Sequence, residues 1–307
     1  MGGAKGVTTA AEHKKGFWYA VVCYSLWGWV PIYWKFLHGI PALQLIGHRI
    51  IWSCAMLIVL VAASHDWQPL LQAARSPRVI GIYTAAAVAV AINWFVYVWA
   101  VNAGFIVQTA LGYFILPLVS VVLAVLVFRE RLRAGQWAAI ALAASGVLYL
   151  AIISGAPPWI ALALAFSFGA YGLLKKLAPL GAVHGLTLET SILCIPAAIY
   201  LIRAYWTGDV GFLHENTARN LLMVGAGPLT TVPLLLFAAA VIRIPLSTMG
   251  MLQFVNPTLQ FLIGVIIYRE PFTAAQRVGF VMVWAGLVVF AVEGYITRRW
   301  FPVEEVP

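Results

Sequence analysis

FILPLVSVVLAVLVFRE, residues 114–130, returns 140 positions later as FVNPTLQFLIGVIIYRE, residues 254–270. Each copy is an apolar run interrupted early by a proline and stopped by Arg-Glu. The alignment is ungapped: Phe114 falls on Phe254, Pro117 on Pro257, Arg129-Glu130 on Arg269-Glu270, Ala134 on Ala274, Gln136 on Gln276 and Gly146 on Gly286. Toward the N-terminus the match weakens, with Lys35 falling on Lys175. Runs that stay apolar for about 20 residues read as membrane-spanning helices, whereas barrel strands alternate over about 10.

The rest of the chain agrees. Of its 307 residues 63% are hydrophobic and 9% charged, against about 25% charged in a soluble domain. Such a chain lacks the polar side chains to cover a water-facing surface, so its solvent is the lipid bilayer. Ten apolar segments are expected, near 17–34, 43–63, 79–101, 105–127, 134–153, 158–174, 183–203, 219–241, 246–267 and 275–296. Each can cross about 30 Å of hydrocarbon at about 1.5 Å per residue. The first, after Lys14 and Lys15, lacks a small-x-small cleavage site in Trp27-Gly28-Trp29-Val30-Pro31 and reads as a retained helix.

Charge sets the orientation. With the N-terminus inside, thirteen of the nineteen Lys and Arg fall on the inner side. Five, Lys35, Arg203, Arg219, Arg269 and Arg277, fall outside, and Arg49 lies within a span. The positive-inside rule therefore puts both termini in the cytoplasm. The expected fold is an all-α membrane protein of ten transmembrane helices in two inverted five-helix repeats. Residues 1–15 form a cytoplasmic tail, 16–153 the first repeat, 154–296 the second and 297–307 a second tail. Because five is odd, the second copy enters from the opposite face, an arrangement suited to alternating access.

Other classes fit poorly. The net charge of +9 is spread over helix ends and forms no nucleic-acid patch. Cys23, Cys54 and Cys194 lie in apolar runs with no metal or disulfide spacing. The only aspartates, Asp66 and Asp209, sit in connections, so the chain lacks the acids of a membrane transferase. No cofactor, metal or catalytic residue is expected; the partners are a small-molecule substrate and the bilayer, and a homodimer is left open.

Several stretches resemble the RarD proteins. They include Ser25-Leu26-Trp27-Gly28, His48-Arg49-Ile50-Ile51-Trp52-Ser53, Asn93-Trp94 and Leu111-Gly112-Tyr113-Phe114 in the first half. Leu188-Glu189-Thr190, Pro228-Leu229-Thr230 and Gln253-Phe254 before Asn256-Pro257-Thr258 follow in the second. RarD proteins belong to the EamA branch of the drug/metabolite transporters, and the resemblance spans about residues 15–296. It implies two EamA repeats, a bacterial inner-membrane location and export (efflux) of a drug or metabolite. A sensor or assembly subunit that binds a ligand without moving it is the alternative.

Charges at membrane depth are functional candidates by default. Arg49 is either an anchor for a substrate anion or a residue snorkelling to headgroups. Glu189, its counterpart under the 140 shift, is either a proton carrier or a partner for Lys175 or Lys176. Asn93, Tyr113, Gln253 and Asn256 are candidate substrate contacts, each balanced against bonds between helices. Pro117, Pro228 and Pro257 are candidate hinges, since a proline removes a helical N–H and frees a carbonyl; the alternative is a static kink. The Arg129-Glu130 and Arg269-Glu270 pairs read as helix-end caps, and Lys35 and Lys175 as helix-end cations.

Overall fold

The computed structural model describes residues 10–37, 39–103, 105–154, 159–208, 211–267, 269 and 273–300. Glu270, most of both tails and the side chains of Asn102 and Gln108 lie outside them. The regular elements among the described residues are all helical, with no strand. In chain order they form α1 (Ala10–Phe36), α2 (Ala42–Ser64), a short α3 (Gln68–Ala74), α4 (Pro77–Asn102), α5 (Ile106–Phe128) and α6 (Ala134–Ser154). The second half gives α7 (Trp159–Leu177), α8 (Ala182–Thr207), α9 (Thr217–Val241), α10 (Leu246–Gln253), α11 (Val255–Leu262), a π-helical turn (Ile263–Ile267) and α12 (Ala274–Trp300).

Nine runs among the described residues are long and apolar enough to cross a bilayer. The expected segment 17–34 is not among them, although α1 is 27 residues long. Trp18, Tyr19, Tyr24, Trp27, Trp29, Tyr33 and Trp34 lower its hydropathy, because their rings carry polar atoms. Helices α1 and α12 also overrun their apolar cores into the expected tails, beginning at Ala10 and reaching Trp300.

The 140-residue offset persists in three dimensions. Helices α2, α4, α5 and α6 start at 42, 77, 106 and 134, and α8, α9, α10 and α12 at 182, 217, 246 and 274. Arg129 and Arg269 both take left-handed backbone at φ 53°. Gln136 accepts from the Arg133 N–H at 3.0 Å, and Gln276 from the Thr273 N–H at 3.0 Å. These are two copies of one helix start. Packing follows the same relation: α1 lies on α9 as α7 lies on α4, while α2 packs on α8, α5 on α10 and α6 on α12. At that last contact a Cβ on Gly146 would sit 2.8 Å from Gly279 O, and one on Gly286 2.7 Å from Ala139 O. Only the missing side chains let these backbones approach so closely.

The halves differ at their prolines. Helix α5 runs unbroken through Pro117, and α9 through Pro228 and Pro233. The expected segment 246–267 instead breaks at Phe254, three residues before Pro257, and ends in the π turn. A proline ring crowds the carbonyl four residues earlier, here that of Gln253. Around Pro257 the polar side chains also bond away from their own backbone. Gln253 accepts from Ser120 at 2.9 Å and Thr258 from Trp284 at 3.1 Å, which ties the broken segment to α5 and α12.

One end of the bundle is tied by polar contacts. Arg243 on the α9–α10 link donates to Glu12 at 2.8 Å. Lys176 at the end of α7 donates to Ile244 O at 2.8 Å. Glu130, just past α5, accepts from the Leu246 N–H at 2.8 Å, the Ser247 N–H at 3.1 Å and the Ser247 hydroxyl at 2.6 Å. Its side chain therefore caps α10, an element of the other half, while Arg129 and the Glu130 N–H, bonded to Ala124 O at 3.1 Å, close α5 as the sequence suggested.

Candidate functional site

A cavity of about 110 Å³ lies between the halves. Arg49 from α2, Asn93 from α4, Tyr113 from α5, Gln253 from α10 and Asn256 from α11 all line it. The structure thus gathers five residues that span 207 positions in sequence, from Arg49 to Asn256. Tyr113 and Gln253 are also the residues four before Pro117 and Pro257, so both copies of the proline motif abut the cavity.

Arg49 is the one charged residue among the eighteen that line this cavity. Its Nε donates to Thr230 Oγ1 at 2.9 Å. Its guanidinium carbon lies 4.6 Å from the Trp94 ring centroid and 5.2 Å from that of Trp34. No carboxylate pairs with it among the described residues. Snorkelling to headgroups is therefore not its arrangement: the charge turns inward onto aromatic faces. His48, one position earlier, points elsewhere and packs against Phe212 at 4.7 Å.

The neutral polar residues have structural bonds as well as cavity faces. Asn93 donates to Leu164 O at 2.9 Å and Ser167 Oγ at 3.2 Å, tying α4 to α7. Gln260 donates to Asn256 at 2.8 Å, so two amides share one face of α11. Tyr97 packs edge-on to Tyr113 at 5.8 Å. Trp27, Trp94 and Phe168 complete an aromatic wall. A site with aromatic walls and a few aimed polar groups is the usual build of a small-molecule pocket.

Glu189 lies elsewhere. It does not line the cavity and does not meet Arg49. One of its oxygens accepts from Lys175 at 2.9 Å and the other from the Tyr171 hydroxyl at 3.1 Å. Lys175 is not a snorkelling helix-end cation: its side chain is 4% exposed and that of Glu189 2%. The ammonium also faces the rings of Tyr83 and Tyr171 at 5.6 and 6.0 Å. Lys35, its repeat counterpart, is exposed.

Sequence reasoning passed over Thr230, Trp34 and Gln260 as site residues. Gln260 had a signal, four residues from Asn256 and so on the same helical face. Thr230 and Trp34 had none, since their contacts to Arg49 cross between helices. Among the described residues no three of His, Cys, Asp or Glu cluster as metal ligands would.

Comparison with known proteins adds the lineage. Residues 14–152 match the EamA-like transporter family. The chain is 40% identical to "Protein RarD" of Streptomyces exfoliatus over 94% of this chain and 91% of that one. It is 42% identical to "Uncharacterized transporter YojE" of Bacillus subtilis (strain 168), over 91% of this chain and 94% of that one. A solved crystal structure superposes with a TM-score of 0.67 over 91% of this chain and 98% of its own, at 18% identity, a likeness of fold alone. With a full-length likeness of this strength, the chain belongs to the RarD family of EamA-like membrane transporters.

Proposed function

We propose that this multi-pass protein is a secondary transporter of the bacterial inner membrane that exports a small metabolite or drug by alternating access. Its ten spans form two inverted five-helix EamA repeats, 16–153 and 154–296, with both termini in the cytoplasm. The observation that carries this reading is the cavity between the halves, where Arg49, Asn93, Tyr113, Gln253 and Asn256 meet at membrane depth. Polar groups there are expensive unless they serve a solute or each other. The common offset of helix starts and the paired packing support the repeat, and the excess of inner basic residues supports the orientation. The direction of flux rests on the family.

In this reading the contacts of Glu12, Glu130, Lys176 and Arg243 close the cytoplasmic end. The break before Pro257 marks a hinge within the span 246–267. Pro117 and Pro228, in unbroken helices, would flex only in the opposite state. Glu189 would carry the coupled proton in a conformation that parts it from Lys175. Such inverted halves exchange conformations to move the opening from one face to the other.

The test is flux in proteoliposomes. Purified protein is screened against labelled amino acids, phenicols and small organic acids, with and without a pH gradient, beside a protein lacking Arg49. Saturable flux that the variant loses supports the reading. Saturable binding with no flux for the same solute would instead favour a sensor. For coupling, Glu189→Gln is combined with Lys175→Met, so that no lone ammonium is left buried. Flux that no longer follows the pH gradient in the double variant supports Glu189 as the carrier, and unchanged gradient-driven flux rejects it.

A further inference from the structure

If the cavity is the transport site, its lining also states which chemical class it takes. Arg49 spends one N–H on Thr230 at 2.9 Å. Its Nη groups have no hydrogen-bond partner among the described residues. A guanidinium at this depth without a counter-charge is costly, and a bound anion relieves that cost. The planar fork of Arg fits an oxyanion through two parallel hydrogen bonds.

The same lining disfavours cations and zwitterions. Among the described residues no Asp or Glu lines the cavity to balance an ammonium group. The Trp34 and Trp94 faces that would hold a cation are occupied by Arg49 itself, at 5.2 and 4.6 Å. Glu189, the carboxylate at the repeat-related position, is held by Lys175 outside the cavity. What remains is amide edges and the aromatic surfaces of Trp27, Tyr97 and Phe168, which suit a flat apolar body.

We propose that the cavity selects small organic monoanions: one carboxylate, or an oxyanion of like shape, on a flat apolar body with no ammonium group. Arg49 holds the oxyanion and Thr230 fixes the guanidinium that does so. The claim deepens the transport reading, and its two parts fail separately.

The experiment is equilibrium dialysis of the detergent-solubilised full chain with labelled benzoate at neutral pH. Phenylacetate, benzamide and phenylalanine serve as competitors. Saturable binding is expected, displaced by phenylacetate but not by benzamide or phenylalanine at equal concentration. Arg49→Gln should weaken it by about tenfold or more. Arg49→Lys, which keeps the charge without the fork, should lose less, and Thr230→Val gives a second check should Arg49→Gln fold poorly. Displacement by benzamide or phenylalanine as strong as by phenylacetate overturns the proposal. So does undiminished binding in a folded Arg49→Gln protein, or the absence of saturable benzoate binding to the wild type. Counterflow of benzenesulfonate, which stays ionised, separates the two readings. Arg49-dependent binding without counterflow upholds the anion site and removes transport. Flux of an uncharged solute that ignores Arg49 keeps transport and removes the anion class.

Discussion

Replacing Lys175 by Met should destabilise the protein strongly and in a pH-dependent way. The ammonium sits 2.9 Å from Glu189, with side chains 4% and 2% exposed. Without Lys175, Glu189 keeps only the Tyr171 hydroxyl as a partner among the described residues, at 3.1 Å, and a lone buried carboxylate sheds its charge by taking a proton. From an ordinary glutamate pKa of about 4.3, that uptake at pH 7 costs about 2.7 units at about 1.36 kcal/mol each, or about 3.7 kcal/mol. Breaking one side of a buried ion pair generally costs about 3–5 kcal/mol, so the two routes agree. The sign follows from proton counting. The folded variant binds a proton that the unfolded chain has released, so its stability falls as pH rises above about 4.3 and recovers by about 1.4 kcal/mol per unit as pH is lowered. Equilibrium unfolding in mixed dodecyl-maltoside and SDS micelles at several pH values measures this. Lys175→Met with Glu189→Gln removes both charges and should return to within about 1 kcal/mol of wild type. A Lys175→Met protein as stable as wild type at pH 7, or equally destabilised at every pH, would refute the argument.

Three further outcomes follow from other contacts. Glu130→Ala removes the acceptor of three hydrogen bonds at the start of α10 and should cost about 1–2 kcal/mol, with Glu130→Gln losing less in the same unfolding assay. Gly227→Ala places a Cβ 2.6 Å from the Trp52 carbonyl carbon and 2.9 Å from the Ser53 nitrogen, whereas at Gly81 it meets nothing within 4 Å. The first should lower the melting temperature sharply by forcing α2 from α9, and the second should leave it unchanged or raise it by the helix preference of Ala, about 0.5–1 kcal/mol. Hydrogen bonds from Lys15 and Arg243 hold the Glu12 carboxyl below its usual range. Its link from α1 to the α9–α10 connection is therefore fully present above pH 4.5 and lost only as pH falls through the lowered value. Acid titrations of wild type and Glu12→Gln should differ at neutral pH and converge in acid.

The features legible in the sequence were those carried by local chemistry repeated at a fixed offset. Pro117 and Pro257, Arg129 and Arg269, and Gln136 and Gln276 announced two copies because each performs a backbone task within a few residues of itself. Glu130 was legible as a cap but not as the cap of α10, since only packing brings the helices of two halves together. Pro257 breaks its helix and Pro117 does not, although the motif is the same. The copies differ beside the proline, where Asn256 and Thr258 stand in place of Leu116 and Leu118. Arg49 and Glu189 were found because charge is rare in hydrocarbon, but their partners were not decided. Thr230 and Trp34 reach Arg49, and Lys175 reaches Glu189, across helix interfaces that no periodicity encodes.

Alternating access is tested most directly by the accessibility of the cavity from each face of the membrane. Asn256→Cys in a chain with Cys23, Cys54 and Cys194 replaced by Ala gives one reporter on α11 in the cavity wall. Oriented proteoliposomes are treated with a membrane-impermeant maleimide from either side, with and without a pH gradient. Labelling from both sides, with the balance shifted by the gradient, is the predicted result. Labelling confined to one face under every condition would contradict the account.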